Sequence, residues 1–214
     1  MKRKKLFYFV LFFSLIVILY GCNGRNSRGY LEDRIGNQIS RVYPTKNLED
    51  LFEQFPNGFT IYQSYQLSDK FIDIVLDGVE KGKPIEGTIK VINRDSGAEE
   101  KKIAVTYDKG KFSYDNEEEA RKLWPKEKFL FQEMTLNKEI LSKFKLKDTY
   151  YNRNSGGFDL EYTVKNEQIN QFLDLDNQQQ VTLGFHGSNA NRGYYYTLTV
   201  ELDRNFKFRE RISE

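Results

Sequence analysis

The chain has 214 residues, a formal net charge of +2 and a single cysteine. This near balance of charge argues against a nucleic-acid partner, because binders of phosphate backbones carry a clustered basic surface, and a lone cysteine forms no internal disulfide. Aromatic residues make up 15% of the chain, which provides enough large side chains for one domain held together by its apolar core.

The N-terminal segment has the layout of an export signal. Four basic residues at 2–5 precede an apolar run at 6–20, in which Ser14 is the only polar residue. A helix that spans a bilayer needs about 20 apolar residues, so this shorter run favours a signal over a permanent anchor. Removal of the four basic residues leaves 29 basic against 31 acidic residues, a net charge of −2. We therefore expect a slightly acidic mature chain.

The apolar run ends at Leu19-Tyr20-Gly21-Cys22. An ordinary secretory signal ends in small residues of the A-x-A type, and this pattern is missing here. The ending instead resembles the lipobox of bacterial lipoproteins, in which the cysteine thiol is diacylated and the bond before it is cut. The resemblance implies cleavage between Gly21 and Cys22, with a diacylglycerol anchor and palmitate-type chains on Cys22. The alternative is a buried cysteine of no chemical interest.

These features predict three parts of the chain. Residues 1–21 form the signal peptide, 22–30 the lipidated cysteine with a flexible tether, and 31–214 a single domain. The stretch 23–29 is polar and contains two glycines, as flexible linkers do. Its Arg25 and Arg28 are expected to be solvated, and contact with anionic headgroups is the alternative.

Several short helices are predicted from apolar residues at helical spacing. The first carries Leu31, Ile35, Ile39 and Val42. The others are a helix that begins at Asn47 and ends before Pro56, a helix capped by Asp115 that ends at Pro125, a helix around 136–144 and a short one at 169–173.

The remaining apolar residues recur with a period of two, which indicates strands with one buried face. The runs that begin at Phe59 and end at Tyr114 are separated by short turns and predict an antiparallel meander, with Leu67 on its buried face. A second sheet segment is predicted at 158–164, 181–185 and 194–202. The fold class is therefore α+β, with a meander-rich antiparallel sheet and several short helices packed on one side.

We expect no catalytic residue, no cofactor and no metal site. His186 is the only histidine of the chain. A metal site with several histidine ligands is therefore excluded, and a Ser-His-acid triad would have to contain His186. The pattern around it predicts an exposed or edge residue at a turn. Carboxylate pairs such as Asp73 and Asp77 could in principle act as a general acid and base, but they are predicted on the solvent-facing side of a strand. An enzyme would require a pocket that gathers His186 with carboxylates.

The candidate recognition surface consists of Tyr195, His186 and Arg192. In the aromatic run 194–196, Tyr195 takes the outward phase beside the polar loop 187–193. An exposed tyrosine next to a polar loop is a common recognition element. A simple cross-strand pair is the alternative.

The stretch Val42-Tyr43-Pro44-Thr45-Lys46-Asn47-Leu48-Glu49-Asp50-Leu51 resembles the staphylococcal tandem lipoproteins. A thinner likeness continues at 151–152, 158–173 and 181–202, whereas Phe-Pro-Asn-Gly-Phe at 55–59 replaces a segment that bears glycine and tryptophan in the family. The resemblance implies a surface lipoprotein with no known enzymatic activity, linked to contact with host cells and to immune sensing of the lipid.

Two functional hypotheses follow. The leading one is a non-enzymatic lipoprotein anchored on the extracytoplasmic face of the cell membrane, whose domain binds a macromolecule such as a host or cell-surface protein. The alternative is a carrier or receptor for a small apolar ligand held in the aromatic core.

Overall fold

A computed structural model describes residues 24–188, 195–203 and 205–214, with the backbone alone for Tyr195. Within these ranges, ten antiparallel strands form one sheet in the order β5-β4-β3-β2-β1-β10-β9-β8-β7-β6. The strands are β1 (Phe59–Leu67), β2 (Lys70–Gly78), β3 (Ile85–Asn93), β4 (Glu99–Asp108), β5 (Lys111–Tyr114), β6 (Lys145–Tyr151), β7 (Phe158–Val164), β8 (Val181–Gly187), β9 (Tyr195–Glu201) and β10 (Phe206–Ser213).

Each half of the sheet is a five-stranded meander, and the two halves join where β1 pairs with β10. That pairing runs from Thr60 opposite Ser213 to Leu67 opposite Phe206. The meander predicted between Phe59 and Tyr114 is therefore confirmed. The second sheet segment predicted at 158–164, 181–185 and 194–202 belongs to the same sheet, because the backbone hydrogen bonds continue across its middle. Strands β6 and β10 are additions to the predicted elements.

The described helices are short. They are the α-helices α1 (Arg28–Ile39), α2 (Glu117–Leu123), α3 (Leu130–Glu133), α4 (Lys138–Lys143) and α5 (Glu167–Phe172), and the 3₁₀ helices Gly24–Asn26 and Leu48–Glu53. None of the helices found within the described ranges is both long and apolar enough to cross a membrane.

Asparagine side chains cap three of these helices. Asn116, Asn137 and Asn166 each accept a hydrogen bond from the backbone N–H three residues further on. The predicted cap of α2 was wrong by one residue, because Asp115 instead accepts a hydrogen bond from the Ala104 backbone N–H at 3.1 Å. That bond anchors the loop before α2 to strand β4.

Helix α1 begins at Arg28, so the predicted tether at 22–30 extends too far along the chain. The Arg28 guanidinium donates hydrogen bonds to the backbone carbonyls of Leu141, Ser142 and Phe144 at 3.2, 2.7 and 3.0 Å. These carbonyls lie at the end of α4, where helices lack internal donors. The same guanidinium contacts the buried carboxylate of Glu32 at 2.7 Å. Arg28 is thus part of the folded domain.

One apolar core contains buried residues from Leu31 to Ile212. The inward residues of the strands, such as Ile61, Leu160 and Phe208, share that core with helix residues such as Ile35 and Leu141. Segment 24–214 therefore folds around a core of its own. Leu67, expected on the buried face, is 45% exposed, because it ends β1 where the core thins out.

The fold combines short helices with a dominant antiparallel sheet, which confirms the α+β class. The strand face opposite the core carries mostly polar side chains. We call it the polar face and define it by Tyr62, Arg209, Arg211, Asp159 and His186.

Candidate functional site

His186 lies at the centre of a hydrogen-bonded cluster on the polar face. Its Nδ1 is 2.6 Å from Asp159 Oδ1 on β7, and its Nε2 is 3.0 Å from Thr199 Oγ1 on β9. Asp159 and His186 are direct cross-strand partners, whereas Thr199 lies diagonally across β9. The sequence predicted an exposed or edge residue at a turn. His186 does not lie at an edge, because β8 is paired on both sides and His186 belongs to both ladders.

Gly184 makes room for this cluster. A Cβ at position 184 would lie 2.5 Å from Thr199 Oγ1 and 2.9 Å from His186 Nε2. The absence of a side chain therefore allows the imidazole to lean across β8 toward Thr199. The His186 side chain remains 35% exposed, so the cluster holds an oriented imidazole that still contacts solvent.

The order carboxylate, imidazole, hydroxyl is that of nucleophilic triads. Thr199 is only 4% exposed, however, so its side chain is covered by its neighbours. A nucleophile must come within contact distance of a substrate carbonyl, which a hydroxyl covered in this way does not do. We interpret the cluster as a fixed polar feature of the surface.

A transverse row of polar-face residues extends from this cluster across eight strands. Successive cross-strand partners in the row are Thr88, Val75, Tyr62, Arg211, Thr197, His186, Asp159 and Tyr150. The Arg211 guanidinium lies 5.2 Å from the centre of the Tyr62 ring, a cation–π contact. Burial raises the pKa of Tyr62, and the nearby carboxylate of Asp73 adds to this effect. Arg209, one row away, is exposed.

Of the predicted recognition residues, the structure describes His186 fully and Tyr195 through its backbone. Tyr195 pairs with Ser213 at the start of β9, and its neighbour Tyr196 is buried, as its inward phase predicted. Arg192 lies outside the described residues, as do Gly21 and Cys22. Asp159 and Thr199, the partners of His186, were missed because strand register decides which distant residues meet.

A second polar cluster is buried beneath the sheet around Glu210 on β10. Its carboxylate accepts hydrogen bonds from the Tyr43 hydroxyl at 2.7 Å, Gln63 Nε2 at 3.0 Å and the backbone N–H groups of Leu130 and Phe131 at 2.7 and 3.0 Å. Burial raises the pKa of Glu210 to about 7, against these hydrogen bonds, which lower it. The signal for this site was present in the sequence, because Glu210 occupies the inward phase between Phe208 and Ile212.

An apolar crevice opens at the corner of the domain where β1 ends and β10 begins. It has a volume of about 300 Å³ and lies between these strand ends and the C-terminal ends of α2 and α5. We call it the Trp124 crevice and define it by Tyr65, Leu67, Ile72, Trp124, Phe172 and Phe206. Lys122, Lys126 and Asp174 contribute charged side chains to its lining.

Across the described part of the chain, no group of three or more His, Cys, Asp or Glu side chains is arranged to hold a metal ion. No protein-family model and no curated protein matches the chain.

Proposed function

We propose that the chain is a non-enzymatic lipoprotein, anchored through Cys22 to the extracytoplasmic face of the cell membrane, whose domain binds a macromolecule through the polar face. The observation that carries this proposal is the transverse row on that face, which runs in register across eight strands. In the proposed arrangement, the short helices all pack on the other side of the sheet and leave this face for a partner.

The dimensions of the polar face suit a protein partner. Strands lie about 4.8 Å apart, so the eight strands of the row span about 34 Å. A standard protein interface buries about 800 Å² on each partner, which a patch of this width and of similar height provides.

The chemistry of the face also suits a protein partner. Tyrosine and arginine are enriched among the residues that dominate binding energy, and Tyr62, Tyr150, Arg209 and Arg211 are all placed on this face. The hydrogen bonds of His186 and the contact between Arg211 and Tyr62 hold side chains in position before binding, which reduces its entropic cost.

The proposed anchor would hold the domain close to the bilayer. The first described helix, Gly24–Asn26, begins two residues after Cys22, and the Thr149 hydroxyl on β6 donates a hydrogen bond to the Asn26 carbonyl at 3.0 Å. A short link restricts how far the domain can move from the bilayer. This supports an adhesive role at the cell surface, in line with the contact with host cells that the lipoprotein resemblance implies.

The test compares adhesion of cells that display the full chain with adhesion of cells that display the Arg209→Glu variant. We expect charge reversal at this exposed position to reduce binding to host cells by about tenfold, because like charges across an interface are costly. The matched control is Lys111→Glu, an exposed position on β5, which is an edge strand that the row does not reach, and this change should leave adhesion unchanged.

Purified segment 24–214, added in excess, should compete with the displayed chain for the same sites. The contrary outcome is that cells that display the chain adhere while the purified segment neither binds host cells nor competes with them. In that case the domain is not the adhesive part and the proposal fails.

A further inference from the structure

The Trp124 crevice has the features of a preformed ligand site. Protein cores normally leave few voids, and a pocket of about 300 Å³ lies at the lower end of the range that holds small ligands. It exists because α2 and α5 both end before they cover the last residues of β1 and the first residues of β10. Tyr65, Ile72 and Phe206 are therefore only partly buried, although they extend the apolar face of the sheet.

The polar atoms at the floor of the crevice are already paired. The Trp124 indole N–H and the Tyr65 hydroxyl both donate to Gln63 Oε1, at 3.1 and 3.2 Å. Gln63 is fully buried and in turn donates to Glu210. The two aromatic side chains thus direct their polar groups into the core. Because Trp124 is only 1% exposed, the apolar surface that remains for a ligand belongs to Tyr65, Ile72 and Phe206, with Trp124 behind it.

The rim of the crevice carries more positive than negative charge. Lys126 Nζ lies 2.8 Å from Asp174 Oδ1 and 6.0 Å from the centre of the Phe172 ring. Lys122 pairs with Glu118 at 2.7 Å, and both of these side chains are largely exposed. Such exposed pairs are weak, so the Lys122 ammonium is free to turn toward a ligand at the rim.

We propose that the Trp124 crevice binds a small single-chain amphiphile. The apolar part of the amphiphile lies against Tyr65, Ile72 and Phe206. Its anionic head, a carboxylate or a phosphate, lies at the rim against Lys122 and Lys126. This site is on the opposite side of the sheet from the polar face and does not depend on the proposed adhesive function. The sequence hypothesis of a small-ligand carrier expected the ligand within the aromatic core, whereas the structure offers this surface crevice.

Trp124 is the only tryptophan of the chain, so its fluorescence reports directly on the crevice. We would titrate segment 24–214, after circular dichroism has shown it to be folded, with decanoate, decyl phosphate and decanol below their micellar concentrations. The expected result is a saturable change with at least one of the two anions, at least about fivefold tighter than with decanol because charged hydrogen bonds add affinity. The stronger anion identifies the headgroup.

Two variants locate the binding. Leu67→Glu places a negative charge at the mouth of the crevice and should weaken anion binding by at least about tenfold. Val79→Glu is its matched control, because Val79 is 77% exposed in the loop between β2 and β3 and should bind as the wild type does. Lys126→Met keeps the apolar stem but removes the ammonium, and should weaken the anions about fivefold while leaving decanol unchanged.

Four outcomes would overturn the proposal. The first three are the absence of saturable binding, equal loss of binding in the Leu67 and Val79 variants, and decanol binding as tight as that of the anions. The fourth is dimerisation of segment 24–214, measured by sedimentation, that Leu67→Glu abolishes while no amphiphile binds. That result would assign the crevice to a second copy of the chain.

Discussion

The Tyr43 hydroxyl donates a 2.7 Å hydrogen bond to the carboxylate of Glu210, although 167 positions separate the two residues in the chain. Tyr43 lies just after α1, and Glu210 lies on the last strand. The same carboxylate also binds the backbone N–H groups of Leu130 and Phe131 at the start of α3. One buried side chain therefore connects the first helix, the helical segment in mid-chain and the centre of the sheet.

We predict that stability falls as the pH rises through neutrality because of Glu210. Burial raises its pKa from the ordinary 4.5 to about 7, so between these values the folded chain holds a proton that the unfolded chain has lost. The stabilisation that this proton binding gives the folded state is fully present below pH 4.5 and is lost as the pH rises through 7. The free energy of unfolding should decrease by up to about 3 kcal/mol between pH 4.5 and 8.

Urea unfolding of the wild type and of Glu210→Gln at several pH values measures this effect. The variant should be less stable overall, because the NH₂ group of its amide faces hydrogen-bond donors that the carboxylate accepts from. It should, however, lack this part of the pH dependence. Identical pH slopes for the two proteins would show that Glu210 does not titrate in this range.

Arg28 is predicted to stabilise the domain even though it lies in the expected tether. Arg28→Ala removes three hydrogen bonds to the end of α4 and leaves the buried Glu32 without its cation. Hydrogen bonds to charged groups contribute about 1.5–3 kcal/mol, so we expect a loss in that range by chemical denaturation. Arg25→Ala, an exposed change three residues earlier, should alter stability by less than about 0.5 kcal/mol. Equal effects of the two changes on stability would indicate that Arg28 belongs to the flexible tether predicted at 22–30.

The strands that were predicted from the sequence are those with a clean alternation of apolar and polar residues. In β7, Phe158, Leu160, Tyr162 and Val164 are all buried, and the polar residues between them are partly exposed. Edge strand β6 escaped prediction because a bulge between Leu146 and Asp148 interrupts its alternation. Strand β10 escaped because the buried Glu210 takes the place of an apolar residue.

The candidate sites were less predictable than the elements. His186 stood out as the only histidine, but its partners Asp159 and Thr199 come from strands 27 and 13 residues away. The register that brings them together depends on the whole sheet. The Trp124 crevice arises where two helices end short of the strands, and such a gap depends on the packing of elements rather than on any local pattern.

Two glycines of α1 are predicted to respond to alanine in opposite directions. A Cβ at Gly29 would meet no atom within 4 Å, so Gly29→Ala should stabilise the helix by about 0.5–1 kcal/mol. A Cβ at Gly36 would lie 2.6 Å from the Lys138 backbone nitrogen, so Gly36→Ala must push α1 away from α4 and should cost about 1–3 kcal/mol. Thermal unfolding of the two variants checks both signs. A neutral result at Gly36 would contradict the close approach of these helices.

Acylation of Cys22 is the remaining prediction, and it concerns a residue outside the described ranges. In cells labelled with palmitate, the wild-type chain should take up label and sediment with the membrane fraction, whereas Cys22→Ala should take up none, because it lacks the thiol. Two acyl chains hold a protein firmly in a bilayer, because each buried methylene contributes about 0.8 kcal/mol. The labelled mature chain should therefore stay in the membrane fraction after a high-salt wash. Tyr20→Ala is the control that changes the same segment but keeps the thiol, and it should be labelled. If the wild-type chain took up no label, acylation of Cys22 and the membrane anchor of the proposed function would both be contradicted.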